Sequence, residues 1–308
     1  MGGQTMAAVE SGVQDGVATL WLSRPERGNA LGADMVAAID ATLDEVLDAG
    51  TRLVVLRGRG RNFCTGLDLA DLETITDGEL ALRIIRIELL LQRIHALPVT
   101  TMAVAGGRVF GAGADLFAAC DRRLALPGAS FAFPGPAFGL VLGTGRLAGL
   151  VGDGTARGLL LAGAPVDAVR AESLGLVSGI VEEAALEDAI GTARTAASRL
   201  DATTVAALHA RTRRADDDGD LAALARSVAR PGLKARVEAY RAAARKYAER
   251  GVAPLRTSPH QRPGAFGNRH LVLGAAGRRA RNALCHAGMV IMPGTRCRRS
   301  RVHCTLAG

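Results

Sequence analysis

Two glycine-rich stretches carry the residues whose types and spacing could do chemistry. The first runs from Gly58 to Gly66 and contains Gly60, Asn62, Phe63, Cys64 and Thr65; the second runs from Gly106 to Gly113, with Asp115 two residues beyond it. Each follows a short apolar run, and the second leads into an apolar segment that reaches Cys120. Glycine lets a backbone approach a ligand closely. The first turn of a helix adds free N–H groups and a dipole that favours negative charge. Nucleotide binding is one chemistry such loops perform, and both of its motifs fail here. Gly58-Arg59-Gly60-Arg61-Asn62-Phe63 has phenylalanine where a dinucleotide fingerprint needs its third glycine. A Walker loop needs a lysine, and the only two lysines are Lys234 and Lys246.

The elements that must position these loops alternate in type. Val17–Leu22 reads as a strand, and Ala33–Ala49 as a helix with Val36, Ile39, Leu43, Val46 and Leu47 on one face. Leu53–Leu56 is a continuous apolar run, the pattern of a strand covered on both sides. A long helix is predicted from Glu79 to Leu97, stopped by Pro98, and a strand over Thr100–Val104. Beyond residue 153 the pattern is helical and ends in Leu233–Arg250. The reading is α/β in the first two thirds and all-α in the last, a layered domain with a helical extension.

The 308 residues are 48% hydrophobic and 22% charged, globular values that exclude wholesale disorder. No apolar run approaches the roughly 18 residues that span a bilayer. No basic residue precedes Arg24, and Met6 stands where a myristoylation signal has Ser or Thr, so a cytoplasmic protein is expected. The net charge of +8 is uneven. Residues 252–308 carry ten Arg and no acid, leaving the rest at −2. This tail also holds Cys285, Cys297 and Cys304 and four of the six His. It has no sustained period, and its composition is that of an unselected or frameshifted, disordered extension. The alternatives are an RNA-binding arm and a Cys/His metal site. No CxxC or HxxxH pair is present, so no metal is expected.

Taken together and in order, the loops resemble the crotonase superfamily, the enoyl-CoA hydratase/isomerase family. The resemblance lies in Arg24-Pro25 with Asn29-Ala30-Leu31, in Asn62 through Leu69, and in Ala103 through Asp121. It continues more loosely through Gly175-Leu176-Val177 to Arg250. It implies an α/β superhelix of repeated ββα units with an α-helical C-terminal region. In that reading residues 1–200 form the acyl-CoA-binding core, 201–251 a helical region for oligomerisation into trimers or hexamers, and 252–308 the basic tail. It also implies an acyl-CoA substrate, fatty acid metabolism, and no cofactor apart from the coenzyme A carried by the substrate. Membrane and nucleic-acid partners are not implied, the tail apart.

The same resemblance assigns residues. An enolate oxygen formed from a thioester is stabilised by two backbone donors, each worth about 2.7–4 kcal/mol in well-studied sites. Here those donors fall on Leu67 and Ala112, the latter a glycine in relatives and acceptable if its φ is negative. Asp115 takes the place of the first catalytic glutamate, one methylene shorter. The second falls on Gly135, which bears no acid, and the loop Gly139–Leu147 is about three residues short and supplies none. Cys64, Thr65, Gly66, Asp68, Gly111, Gly113, Pro134 and Gly135 are the expected substrate contacts. Among other side chains, Asp68 is expected to brace its loop, Glu88 to lie on a solvated helix face, and His95 to satisfy carbonyls at its helix end. Cys64 is expected to be a small buried group, and Arg59 and Arg61 exposed loop charges. The implied activity is 2-enoyl-CoA hydration or a related isomerisation through Asp115. The alternative is a non-catalytic acyl-CoA-binding homologue.

Overall fold

A computed structural model describes residues 7–212 and 216–249. The tail 252–308, and every expectation attached to it, lies outside the described residues. In chain order the elements are β1 (Val9–Gln14), β2 (Val17–Leu22), α1 (Ala33–Asp48), β3 (Leu53–Gly58), α2 (Asp77–His95), β4 (Thr100–Ala105), β5 (Arg108–Phe110) and α3 (Ala112–Ala118). There follow β6 (Arg122–Ala125), β7 (Ser130–Ala132), α4 (Thr144–Val151), α5 (Asp153–Ala162), β8 (Val166–Asp167), α6 (Ala168–Ser173) and β9 (Gly179–Ile180). Helices α7 (Leu186–Ala197), α8 (Ala202–Thr212), α9 (Asp217–Val228) and α10 (Leu233–Glu249) complete the described chain.

The main sheet has the order β1-β2-β3-β4-β6-β9, with β1 and β2 antiparallel and every other pair parallel. The apolar runs of β3 and β4 divide by strand alternation. Leu53, Val55, Met102 and Val104 pack on α7, and Val54, Leu56, Ala103 and Ala105 join the main core beneath α1 and α2. A sheet covered on both faces is what the continuous run at Leu53–Leu56 requires. A second sheet, β5-β7-β8, stands beside the first. Single bridges join Leu31 to Leu67 and Cys64 to Val109, so the two loops enter the site already paired to strand-like neighbours.

The expectation of an all-helical final third is corrected by β8 and β9. Each is two residues long and exists by pairing with β7 or β6, which is too short for any alternation to show. Helix α2 starts at a capping box, in which Glu79 N–H donates to Thr76 Oγ1 at 3.2 Å and Thr76 N–H to Glu79 Oε2 at 2.8 Å. Its Leu80 and Ile84 share a separate apolar cluster with Leu140, Leu224, Leu233 and Val237, which seats α9 and α10 against α2. No described helix is long and apolar enough to cross a membrane.

Candidate active site

The first loop is held from beneath by Asn29, fully buried at φ 55°. Its Nδ2 donates to the carbonyls of Arg59 (3.0 Å) and Asn62 (2.8 Å), and its Oδ1 accepts Arg24 N–H at 2.9 Å. Leu31 N–H donates to Gly66 O at 2.7 Å and Asp68 N–H to Leu31 O at 3.1 Å. These bonds flank Leu67 and leave its own N–H out of the ladder. The second loop is fixed by Gly111 N–H on Ala132 O at 2.8 Å and by Asp115 N–H on Gly111 O at 3.0 Å. Ala112 is the first residue of α3, and the only described non-glycine residues with positive φ are Asp15 and Asn29. Its φ is therefore negative, which meets the condition set by the sequence. Among the described residues neither Leu67 N–H nor Ala112 N–H has an acceptor, and both residues line one cavity of about 200 Å³. Unsatisfied backbone donors at an open cavity are ready for an anionic oxygen.

Close approach of the loops explains two glycines. A Cβ on Gly66, at φ 98°, would lie 2.6 Å from Phe110 O and 3.5 Å from Ala112 N. A Cβ on Gly113 would lie 2.3 Å from the Cys64 carbonyl oxygen. Any side chain at either place pushes the two donors apart.

Thr65, Gly66, Leu67, Gly111, Ala112, Asp115, Pro134 and Gly135 all line the cavity, whose remaining wall is mostly apolar, from Ile84 and Ile87 of α2 to Phe133 and Leu142. Cys64, Asp68 and Gly113 do not line it. Cys64 is fully buried, and burial pushes its thiol up to about 12, so it is no nucleophile. Asp68 accepts Ala70 N–H at 3.0 Å and pairs with Arg27 at 3.2 Å, bracing the loop as expected. Gly135 is outside the left-handed region, and a Cβ there meets only Leu140 at ordinary distances. The backbone at 135 thus accepts a side chain, and no steric clash excludes one there.

Asp115 is buried and faces that cavity. Burial raises its pKa well above the carboxylate range, the Arg146 cation opposes the rise, and the carboxylates of Glu88 and Asp220 add to it. Glu88 corrects an expectation: it lies in no solvated face but is fully buried, with Arg146 Nη2 at 2.5 Å from its Oε2 and Gln92 Nε2 at 2.9 Å from its Oε1. The signal was present in the sequence, because Glu88 follows Ile84 by four residues and precedes Leu91 by three, on the apolar face of α2. Asp220 of α9 accepts Gly145 N–H at 3.2 Å near the start of α4. Arg146 and Asp220 escaped sequence reasoning, since each acts on a residue far away along the chain. Tyr240 of α10 also lines the cavity and was likewise missed. His95 Nδ1 lies 3.3 Å from Ala119 O, at the end of α3. Arg59 is half exposed but engaged, pairing with Glu10 at 2.6 Å and lying 4.0 Å over the Trp21 ring.

A mostly parallel sheet beside a small second sheet, with two glycine loops presenting paired N–H donors and a buried acid, defines a crotonase-type protein. The enoyl-CoA hydratase/isomerase family profile matches residues 12–251, and the chain belongs to that family. It is 35% identical over 169 residues to the probable enoyl-CoA hydratase echA6 of Mycobacterium tuberculosis, an alignment covering 54% of this chain and 68% of that one. A solved structure from Bordetella parapertussis, named as an enoyl-CoA hydratase/isomerase, is 45% identical with a TM-score of 0.74, covering 76% of this chain and 98% of that one. The enoyl-CoA hydratase/isomerase of Xanthobacter autotrophicus Py2 is 28% identical with a TM-score of 0.70, covering 80% and 96%.

Proposed function

We propose that the protein transforms acyl-CoA thioesters by stabilising a thioester enolate, with Leu67 N–H and Ala112 N–H as the oxyanion hole and Asp115 as proton carrier. The observation that carries this reading is the pair of acceptor-free N–H groups sharing one apolar cavity with a buried carboxylic acid. In hydration of a 2-enoyl thioester, the water oxygen bonds to Cβ and its proton passes to the Asp115 carboxylate. The displaced π electrons move onto the thioester oxygen, held by the two N–H groups. Asp115 then returns its proton to Cα, and the net change is addition of one water. In isomerisation the same group removes a proton from Cα and restores it at Cγ. Raised basicity in an apolar pocket suits either shuttle. The absence of a second acid at Gly135 lowers the rate by about 10²–10⁴ relative to a two-acid site. A trimer or hexamer, assembled through residues 201–251 in the cytoplasm, completes the proposal.

The test is mass spectrometry of a panel of 2-enoyl-CoA substrates incubated with the full chain and with Asp115→Asn. Hydration or isomerisation that falls at least ~100-fold in the variant, with acyl-CoA binding unchanged, is the expected result. Binding without turnover anywhere in the panel would instead make the chain a non-catalytic acyl-CoA-binding homologue.

A further inference from the structure

The cavity wall contains four polar side chains, Thr65, Asp115, Thr144 and Tyr240. The two threonine hydroxyls already donate to backbone, Thr65 to Gly28 O at 3.2 Å and Thr144 to Leu142 O at 3.5 Å. Among the described residues no side-chain hydrogen bond engages the Tyr240 hydroxyl. Its placement is built by several contacts. Asp77 of α2 accepts the N–H groups of Leu233 (3.2 Å) and Lys234 (2.8 Å), fixing the start of α10. Arg236 Nη1 donates to Phe138 O at 2.9 Å, and the Tyr240 ring packs on the Phe138 ring at 5.1 Å between centroids. Leu233 and Val237, on the same face of α10 as Tyr240 by helical spacing, are fully seated in the cluster shared with α2. Phe138 closes the short turn that begins at Gly135. The phenol therefore packs beside the wall segment that lacks an acid.

We infer that Tyr240 is a further catalytic residue, its hydroxyl binding and orienting the water that Asp115 deprotonates. The inference rests on the hydration reading above. The phenol accepts one hydrogen bond from the water or donates one to it, and remains neutral throughout. The proton that leaves the water goes to Asp115 and then to Cα, and the C–O bond forms at Cβ. Burial raises the phenol pKa, which keeps it uncharged at neutral pH.

Exchange of the α-hydrogens of a saturated acyl-CoA with D₂O requires Asp115 and the oxyanion hole but no oriented water, so the two activities separate the roles. Full-length Tyr240→Phe keeps the ring and loses the hydroxyl. It is expected to lower the hydration kcat by roughly 10–100-fold while α-exchange stays within about threefold of wild type. Tyr240→Ala, which also removes the packing on Phe138, is expected to lower both, the signature of a displaced helix. Asp115→Asn is expected to abolish both. Hydration within about threefold of wild type in Tyr240→Phe, or equal loss of hydration and exchange in it, overturns the role of Tyr240 and leaves the enolate reading standing. Wild-type exchange without hydration also overturns it. A wild-type chain that neither exchanges nor hydrates, yet binds acyl-CoA, overturns both.

Discussion

Glu88 and Asp220 act electrostatically on Asp115, and Glu88 on Asp220, around the guanidinium of Arg146. Glu88 and Arg146 are both buried from solvent, and among the described residues Arg146 Nε and Nη1 have no hydrogen-bond partner. The pair therefore owes its persistence to its setting. A lone buried Glu88 is costly, and Arg146→Met is expected to destabilise the fold by about 3–5 kcal/mol in denaturant unfolding. Adding Glu88→Leu removes the orphaned charge, and the double variant is expected to recover most of that loss. The same substitution has an electrostatic consequence. Arg146 lowers the Asp115 pKa against burial, so its removal lets Asp115 keep its proton to higher pH. The double variant also loses the smaller upward push of Glu88, so the rise of activity with deprotonation of Asp115 in a pH–rate profile is expected at modestly higher pH in it than in wild type. A shift to lower pH would contradict this arrangement. The sequence showed Asp115 because it stands in a motif. Arg146 was hidden because its partner lies 58 positions away, a distance at which no local period operates.

At the scale of elements, a polar clasp ties α8 to the core. His209 on α8 places Nε2 3.2 Å from Asp121 Oδ1 and Nδ1 2.7 Å from Leu97 O. The Asp121 hydrogen bond raises the imidazole pKa against burial. Burial pushes the Asp121 pKa up, but its bonds from His209 and Thr101 outweigh that and leave it lowered. The raised His209 stabilises fully below the ordinary imidazole value and loses this as pH rises through its folded pKa. The lowered Asp121 stabilises above the ordinary carboxylate value and loses this as pH falls through its folded pKa. The clasp is therefore strongest between about pH 4 and 6.5. His209→Ala is expected to cost about 1–2 kcal/mol in that window, and less near pH 9, in thermal or denaturant unfolding. An equal cost at both pH values would contradict the ionic part of the clasp. Elements with many residues on one period were legible: α1 begins at Ala33 as read from its face, and β2 spans Val17–Leu22 as read. Strands β5, β7, β8 and β9, two or three residues long, were not. Their pairing is dictated by neighbours, and so few residues carry no alternation.

For the whole molecule, the boundary of the family match at residue 251 coincides with the charge boundary, since residues 252–308 are basic without acids. The cavity, the loops and α10 all lie before it. Ending the chain after residue 251 is expected to leave acyl-CoA turnover within about twofold, and to abolish any salt-sensitive binding to RNA. A loss of turnover would assign the tail a part in the site. The fold and the two loops were legible at this scale because glycines needed for close approach also mark the sequence. The second half of the site was not, because Tyr240 lines it from more than a hundred residues beyond Gly135, on a helix placed by α2 rather than by any motif. The central claim is that Leu67 and Ala112 stabilise an enolate formed by Asp115. Its most direct measurement is deuterium incorporation at Cα of a saturated acyl-CoA in D₂O, read by mass spectrometry. Incorporation by the wild-type chain that falls at least ~100-fold in Asp115→Asn is the predicted result. Incorporation at the same rate in the variant, or none in a wild-type chain that binds the thioester, would contradict it.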